Sequence, residues 1–249
     1  MEKITSRKNG VIVRMRALMN DAACRRETGE FICDGMKLLK EAVAAGMELT
    51  TVLCAGEQEL PELPETAEVY SVPQELMSYA SPLKNSPGPV FALKKPEIPI
   101  PDAGGILVLD GVQDPGNVGT VIRTAEALGA GAVVLVNACA DPFGPKAARA
   151  TMGSIFRQCV AEMTPAELKE LLNKRGMELY GAALAADAVD IREADLKNAA
   201  CAVGSEGRGL SAELLDMCGK RMIIPMTGRT ESLNAAVAAS VILWEMFRR

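Results

Sequence analysis

From residue 105 onward the chain repeats one arrangement: a short apolar run, a turn, then a helix-length segment. Ile106 to Asp110, Ala132 to Val136, Arg157 to Val160, Met177 to Ala183, Ala199 to Val203 and Met222 to Pro225 read as strands. Val118 to Leu128 reads as a helix ended by Gly129, and Lys146 to Gly153 as a short helix or turn. Thr164-Pro165-Ala166-Glu167 is a capping box with proline at the first helical position, and Gly176 stops that helix. Ser211 opens a short helix, and Ser232 to Phe247 forms the last one. Strand followed by helix, many times over, predicts a largely parallel sheet. Ligands of such sheets bind in loops beyond the carboxyl ends of strands. Two such loops are crowded with polar groups, Gly204 to Gly209 and Thr227 to Asn234. An apolar stripe through Leu233, Val237, Val241 and Trp244 on the last helix suits a core or a partner face equally.

Residues 1–95 read as a separate small α/β module. Val11 to Leu18 suits a helix, Gly29 to Asp34 a strand, and Gly35 to Ala45 a helix closed by Gly46. Leu49 to Cys54 and Ala67 to Val72 are further strands. Proline recurs through Lys94 to Gly105, which makes residues 96–104 a semi-rigid linker. Residues 105–249 are then the second domain.

Composition removes several classes of function. The chain has no His, which excludes His-based triads, most zinc sites and imidazole acid–base chemistry; no metal is expected. Its seven Cys lack C-x-x-C spacing and sit mostly among apolar residues, as reduced thiols do. No apolar run is long enough to span a membrane, and the first residues lack a signal-peptide core. A soluble, cytoplasmic protein is expected. Net charge is −5, yet residues 1–26 carry seven Lys/Arg against two acids. Arg7, Lys8, Arg14 and Arg25 of that stretch are candidate phosphate contacts. A solvated amphipathic helix explains the same charges at least as well.

Four stretches carry the candidate chemistry. In Asp110-Gly-Val-Gln-Asp-Pro-Gly-Asn117, a tight turn leaves a strand, and Asn117 stands at the expected N-cap. Arg123 follows about a turn and a half later; with the free helix N–H groups it could hold a phosphate. Lys146 to Arg157 brings Lys146, Arg149 and Arg157 near Thr151 and Ser154; Arg149 is a candidate polyanion contact, although an ordinary amphipathic helix accounts for the stretch better. Gly204-Ser-Glu206-Gly-Arg-Gly209 follows a strand, but its spacing is not G-x-G-x-x-G and it lacks a Lys-Ser/Thr pair. Nicotinamide and ATP readings are rejected on that ground. Ile224-Pro-Met226-Thr-Gly-Arg-Thr-Glu231-Ser232-Leu233-Asn234 leads into the last helix.

In this order, the stretches resemble the SpoU (TrmH-like) family of RNA ribose 2′-O-methyltransferases, of the SPOUT class. Asn117 to Arg123, Gly204 to Leu210, and Ile224 to Met226 with Glu231 to Asn234 match its three motifs. Arg149 to Ser154 matches an element between them. Residues 1–95 resemble the family's substrate-binding domain, similar to ribosomal protein L30e. The resemblance implies a parallel-sheet domain closed by a trefoil knot, with S-adenosylmethionine as cofactor. By position, Leu184, Gly204, Ile224, Met226 and Leu233 would hold the cofactor. Arg123, Asn117, Glu206, Ser232 and Asn234 would form the catalytic group. It also implies a homodimer sharing its active sites, and an RNA substrate, ribosomal rather than transfer by analogy of the first domain. A non-catalytic RNA- or ribosome-binding protein of the same fold is the alternative. The retained polar motif residues argue against it.

Overall fold

The structure, a computed structural model, describes residues 1–56, 58–83, 86, 88–229 and 232–248. The chain forms two compact units: Met1–Glu97 with Asp141–Arg157, and Ile98–Ala140 with Gln158–Arg249.

The first unit contains β1 (Glu2–Lys3), α1 (Gly10–Asn20), α2 (Ala22–Thr28), β2 (Glu30–Asp34), α3 (Met36–Ala44), β3 (Leu49–Cys54), β4 (Glu68–Ser71), α4 (Gln74–Ala80) and β5 (Val90–Lys94). The sheet order is β1-β4-β3-β5-β2. β5 runs antiparallel to both β2 and β3, while β1, β4 and β3 are parallel. β5 was not expected from sequence, where a proline linker beginning at Lys94 took up its last residue. Ile12, Met15 and Leu18 of α1 pack with Ile32, Leu53, Met77 and Val90 in its core.

The second unit opens with β6 (Ile106–Asp110), α5 (Pro115–Leu128) and β7 (Ala132–Val136). The chain then returns to the first unit for α6 (Pro145–Ala150) and a 3-10 turn, Ser154–Phe156. Residues 141–157 group with the first unit, whereas the sequence reading placed them in the second domain. Phe143 meets Phe31 edge-on with ring centres 5.2 Å apart, and Asp141 pairs with Arg25 at 2.7 Å. The second unit continues with β8 (Val160–Glu162), α7 (Pro165–Arg175), β9 (Leu179–Ala182), β10 (Val189–Asp190), β11 (Ala200–Gly204), α8 (Ala212–Met217), β12 (Lys220–Ile223) and α9 (Ala235–Phe247). β8 starts three residues later than the strand read from sequence.

Seven strands make this second sheet, in the order β10-β12-β9-β11-β6-β7-β8, and every pairing among the described residues is parallel. Ile106 to Leu109 are fully buried, as a central strand covered on both faces must be. Ile98 and Ile100, from the proline-rich stretch, pack against this unit's core. α7 begins with the expected reciprocal cap between Thr164 and Glu167 and ends at Gly176. β6 and β11 are neighbours, and their outgoing loops lie at the carboxyl edge where ligands of parallel sheets bind.

Two helix starts differ from expectation. α5 begins at Pro115, and Asp114 caps it by accepting from the Asn117 N–H at 3.0 Å. Asn117 is thus inside the first turn, and its side chain is released from capping. α9 begins at Ala235 with Asn234, not Ser232, as its cap. The stripe of α9 also faces the other way from a core. Ala235, Ala239, Ile242 and Leu243 are buried, whereas Val237 is 49% and Trp244 60% exposed. No helix among the described residues is long and apolar enough to cross a membrane.

Candidate active site

Three polar loops of the second unit meet through their side chains. Asn117, on α5, donates from Nδ2 to Glu206 Oε1 in the loop after β11. Asn234 donates from Nδ2 to Asn117 Oδ1 at 3.2 Å and to Glu206 Oε1 at 3.4 Å. These residues lie 89 and 117 positions apart in the chain, so the cluster exists only through the fold. Capping fixes the orientation of Asn234. Its Oδ1 accepts from the N–H groups of Ala236 at 2.9 Å and Val237 at 3.3 Å, which turns Nδ2 toward Glu206. One carboxylate oxygen of Glu206 thus takes two amide donors. Its other oxygen accepts no hydrogen bond from the described residues.

Beside this cluster lies a cavity of about 390 Å³, within the ordinary range for small-molecule sites. The loops after β9, β11 and β12 wall it, together with Ser232 and Leu233 ahead of α9. Leu184, Gly204, Ile224, Met226 and Leu233, the five positions named from sequence for a cofactor, all line it. Leu184 is 71% exposed on the cavity wall. Ser232 is exposed on the rim, and Glu206 lines the same cavity. The wall is tightest at Gly204, where a Cβ would overlap the Gly209 carbonyl group and the Leu210 nitrogen. Apolar walls joined by close-packed backbone suit a flat, partly apolar ligand such as an adenosine group held by main-chain contacts. No cluster of metal-ligating side chains occurs among the described residues.

Arg123 stands apart from the cluster. It is exposed on α5, six residues beyond Asn117, which places it ~9 Å along the helix and about a third of a turn around it. Its side chain makes no hydrogen bond or ion pair with another described residue. Glu231, the first residue of the third motif's second half, lies outside the described residues.

A groove of about 440 Å³ runs between α5 and α9 from the cluster, lined by Asn117, Thr120, Asn234, Val237, Val241 and Trp244. A second cavity, on the other side of the Ser205–Gly209 loop, is lined by Asp110, Gln113 and Asn137. Asp110 and Gln113 belong to the first candidate stretch read from sequence, which gave neither a role, and Asn137 was not singled out. Burial disfavours the thiolate form of this unit's thiols. Burial pushes Cys201 up to about 12 and Cys218 up to about 11, and it raises Cys139 as well.

The cations named as RNA contacts separate into two groups. Arg7 and Lys8 are exposed, and the Arg7 guanidinium lies 4.6 Å from the centre of the Tyr79 ring. Arg149 is exposed in the last turn of α6. Arg25 is not a surface cation: it is 6% exposed, pairs with Asp141, and donates to the Leu18 carbonyl at 2.6 Å. It is a buried structural ion, contrary to the sequence expectation. Arg14 pairs with the buried Glu30 and lies 3.4 Å from Thr51 Oγ1, so its charge is already matched.

A parallel α/β unit with a converging polar cluster beside a cavity at its carboxyl edge defines a small-molecule-binding enzyme architecture. Residues 105–244 match the SpoU rRNA Methylase family, and residues 9–92 match the MRM3-like substrate binding domain. The chain belongs to the SpoU rRNA Methylase family. It is 32% identical over 247 residues to the 23S rRNA (guanosine(2553)-2′-O)-methyltransferase RlmP of Bacillus subtilis (strain 168), covering 99% of each chain. It is 30% identical to the 23S rRNA (uridine(2479)-2′-O)-methyltransferase of Streptomyces viridochromogenes, over 99% of this chain and 92% of that one. Its structure is similar to that of an AdoMet-bound rRNA methyltransferase from Sinorhizobium meliloti, with TM-score 0.88, 30% identity, and coverage of 99% and 97%.

Proposed function

We propose that this chain transfers a methyl group from S-adenosylmethionine to a ribose 2′-hydroxyl of ribosomal RNA. The observation that carries this reading is the contact of Asn117, Glu206 and Asn234 at the edge of the 390 Å³ cavity. Leu184, Gly204, Ile224, Met226 and Leu233 would hold the cofactor there. When bound, S-adenosylmethionine supplies a methyl group on a positively charged sulfur. Transfer to the ribose oxygen would leave the neutral thioether as leaving group, with the displaced hydroxyl proton passing to solvent.

The chain's own groups prepare the acceptor. Asn117 and Asn234 hold Glu206 so that its second oxygen can accept from the 2′-hydroxyl and orient it. Ser232 adds a hydroxyl on the same rim. A guanidinium keeps its proton, so Arg123 acts by binding phosphate and stabilising the developing oxyanion rather than as a base. Its separation from Asn117 on α5 supports a homodimer in which the partner subunit brings Arg123 to the cluster. The face of exposed Val237 and Trp244 with half-buried Val241 beside that cluster supports the same arrangement. The insertion of β12 between β9 and β10, both formed earlier in the chain, supports a trefoil knot around the cofactor. Residues 1–95 would be the L30e-like module that grips RNA, with Arg7, Lys8 and Arg149 on phosphates. Such an enzyme works in the cytoplasm.

The test is incubation of the purified chain with methyl-labelled S-adenosylmethionine and ribosomal RNA from cells lacking its gene. Label should appear in a 2′-O-methylated nucleoside after digestion. Absence of transfer, or label on a base, overturns the reading. The dimer has its own test. Light scattering should give twice 26.4 kDa for the wild type. Trp244→Arg should give the monomer and lose transfer together. A monomeric, active wild type would refute the shared site.

A further inference from the structure

We propose that Asp110 is a positioning residue for methyl transfer, its buried carboxylate fastening the loop that carries Glu206 to the segment that carries Asn117; this rests on the methyl-transfer reading above.

Asp110 closes β6, whose other residues, Ile106 to Leu109, are apolar and fully buried. It is itself 3% exposed, and a carboxylate so buried is costly unless its oxygens are matched. One oxygen accepts from Asn137 Nδ2 at 2.8 Å and the other from the Ser211 N–H at 2.6 Å. No cation among the described residues pairs with it, so neutral donors carry the whole load. Hydrogen bonds to a charged acceptor are about twice as strong as neutral ones, which makes both firm anchors. With its oxygens committed, Asp110 acts by holding other groups and is not a catalytic residue.

The anchors lie at the root of the Glu206 loop. In the ladder Asp110 stands opposite Gly204, where the loop leaves β11, and its side chain takes the N–H of Ser211, where the loop returns. Between these points the Gly209 N–H donates to the Ser205 carbonyl at 2.9 Å and closes the neck. Glu206, exposed beyond the neck, is held through the side chains of Asn117 and Asn234. Asn117 is reached from Asp110 through residues 111–116. Glu206 and Asn117 thus extend from two stretches of chain joined at one carboxylate. Asn137 ties the loop after β7 to the same point, and its Nδ2 lies 3.2 Å from Ser211 Oγ. Loosening this point shifts Glu206 relative to Asn117, and a reacting site tolerates displacements of only about 0.5 Å.

A reciprocal swap tests this. Asp110→Asn keeps the shape but replaces one oxygen with a donor, so one of the two N–H partners must face a donor. In the folded enzyme kcat should fall about 100-fold, the scale of a small misplacement, with KM for ribosomal RNA within about twofold. Asn137→Asp should fail likewise, because two carboxylates then meet; aspartate tolerates the left-handed backbone there, φ 54°, as asparagine does. The two substitutions together again set an amide donor against a carboxylate and leave an amide oxygen for the Ser211 N–H. The swapped pair should recover kcat to within about fivefold of the wild type. A role confined to stability would lower the Tm of the single variants and leave kcat of the folded enzyme unchanged. Asn137→Ala removes one donor without a clash and should lower kcat about tenfold, which carries the test if Asp110→Asn does not fold. Amide hydrogen exchange at residues 205–210 of the full chain should quicken in the single variants and return to the wild-type rate in the swapped pair. Wild-type kcat in Asp110→Asn or Asn137→Ala, or a swapped pair no better than the single variants, overturns the proposal. A wild type that transfers no methyl group refutes the catalytic reading instead, and the exchange rates then decide whether Asp110 anchors the loop.

Discussion

Arg123→Ala should lower kcat for methyl transfer by about 10³-fold, while the Kd for S-adenosylmethionine should stay within about twofold. Two structural facts separate these outcomes. Arg123 lines none of the donor cavity, so its loss removes nothing from the cofactor's walls. It is exposed and its side chain pairs with no described residue, so its loss costs the fold little. On the proposed mechanism its worth would lie in charge delivered as the oxyanion develops, which would appear in kcat and not in donor binding. Arg123→Lys keeps the charge but loses the planar fork, and it should recover only part of the rate. The shared-site arrangement adds a sharper expectation. Arg123→Ala and Glu206→Ala should each be inactive when expressed alone. Co-expressed, they should recover activity, because one site of each mixed dimer then has both groups. A mixed dimer without activity would mean that Arg123 serves its own chain. Wild-type turnover by Arg123→Ala would remove it from the mechanism.

Some of this architecture was legible before any coordinates, and the reason differs by element. β6 and β7 were read to the residue because strands buried on both faces are unbroken apolar runs. α7 was legible from both ends because Thr164, Pro165, Glu167 and Gly176 each have a local job. α5 was misread at its start. Asp114-Pro115-Gly116 looks like a turn, yet Asp as cap and Pro at the first helical position are also a helix start. The error matters, since moving the cap to Asp114 frees Asn117 for Glu206. β5 was missed because its pairing with β2 and β3 is a long-range matter that short runs do not reveal. The stripe on α9 was seen, but a helix apolar nearly all round gives no sign of which side is covered. The Asn117–Glu206–Asn234 cluster was named only through family resemblance. No spacing rule reaches across 89 or 117 residues. Arg25 shows the opposite failure: a basic stretch reads as surface, and only Asp141 and the Leu18 carbonyl explain why one member is buried.

Gly204→Ala should cost the protein its cofactor, raising the Kd for S-adenosylmethionine by about 100-fold or more, on the scale of overpacking a closely fitted site. The residue ends β11 and sits beneath the loop that folds back through Gly209 and Leu210. A single methyl group there would occupy the space of the Gly209 carbonyl group and the Leu210 nitrogen. Both obstacles are main chain, so no rotamer change relieves the overlap, and the loop itself must lift. That loop walls the donor cavity and carries Glu206, so cofactor binding and the Asn117–Asn234 contacts fail together. Stability should fall by about 2 kcal/mol, in the range for overpacking. Gly209→Ala is the discriminating comparison. Gly209 has φ +66° but nothing within 4 Å of an added Cβ. It should cost only the conformational penalty of about 1 kcal/mol and a milder loss of cofactor affinity. Calorimetric titration with S-adenosylmethionine and urea unfolding of both variants give the order. If Gly209→Ala proves the worse of the two, backbone freedom rather than close packing governs this loop. If Gly204→Ala binds as the wild type does, the cofactor lies elsewhere.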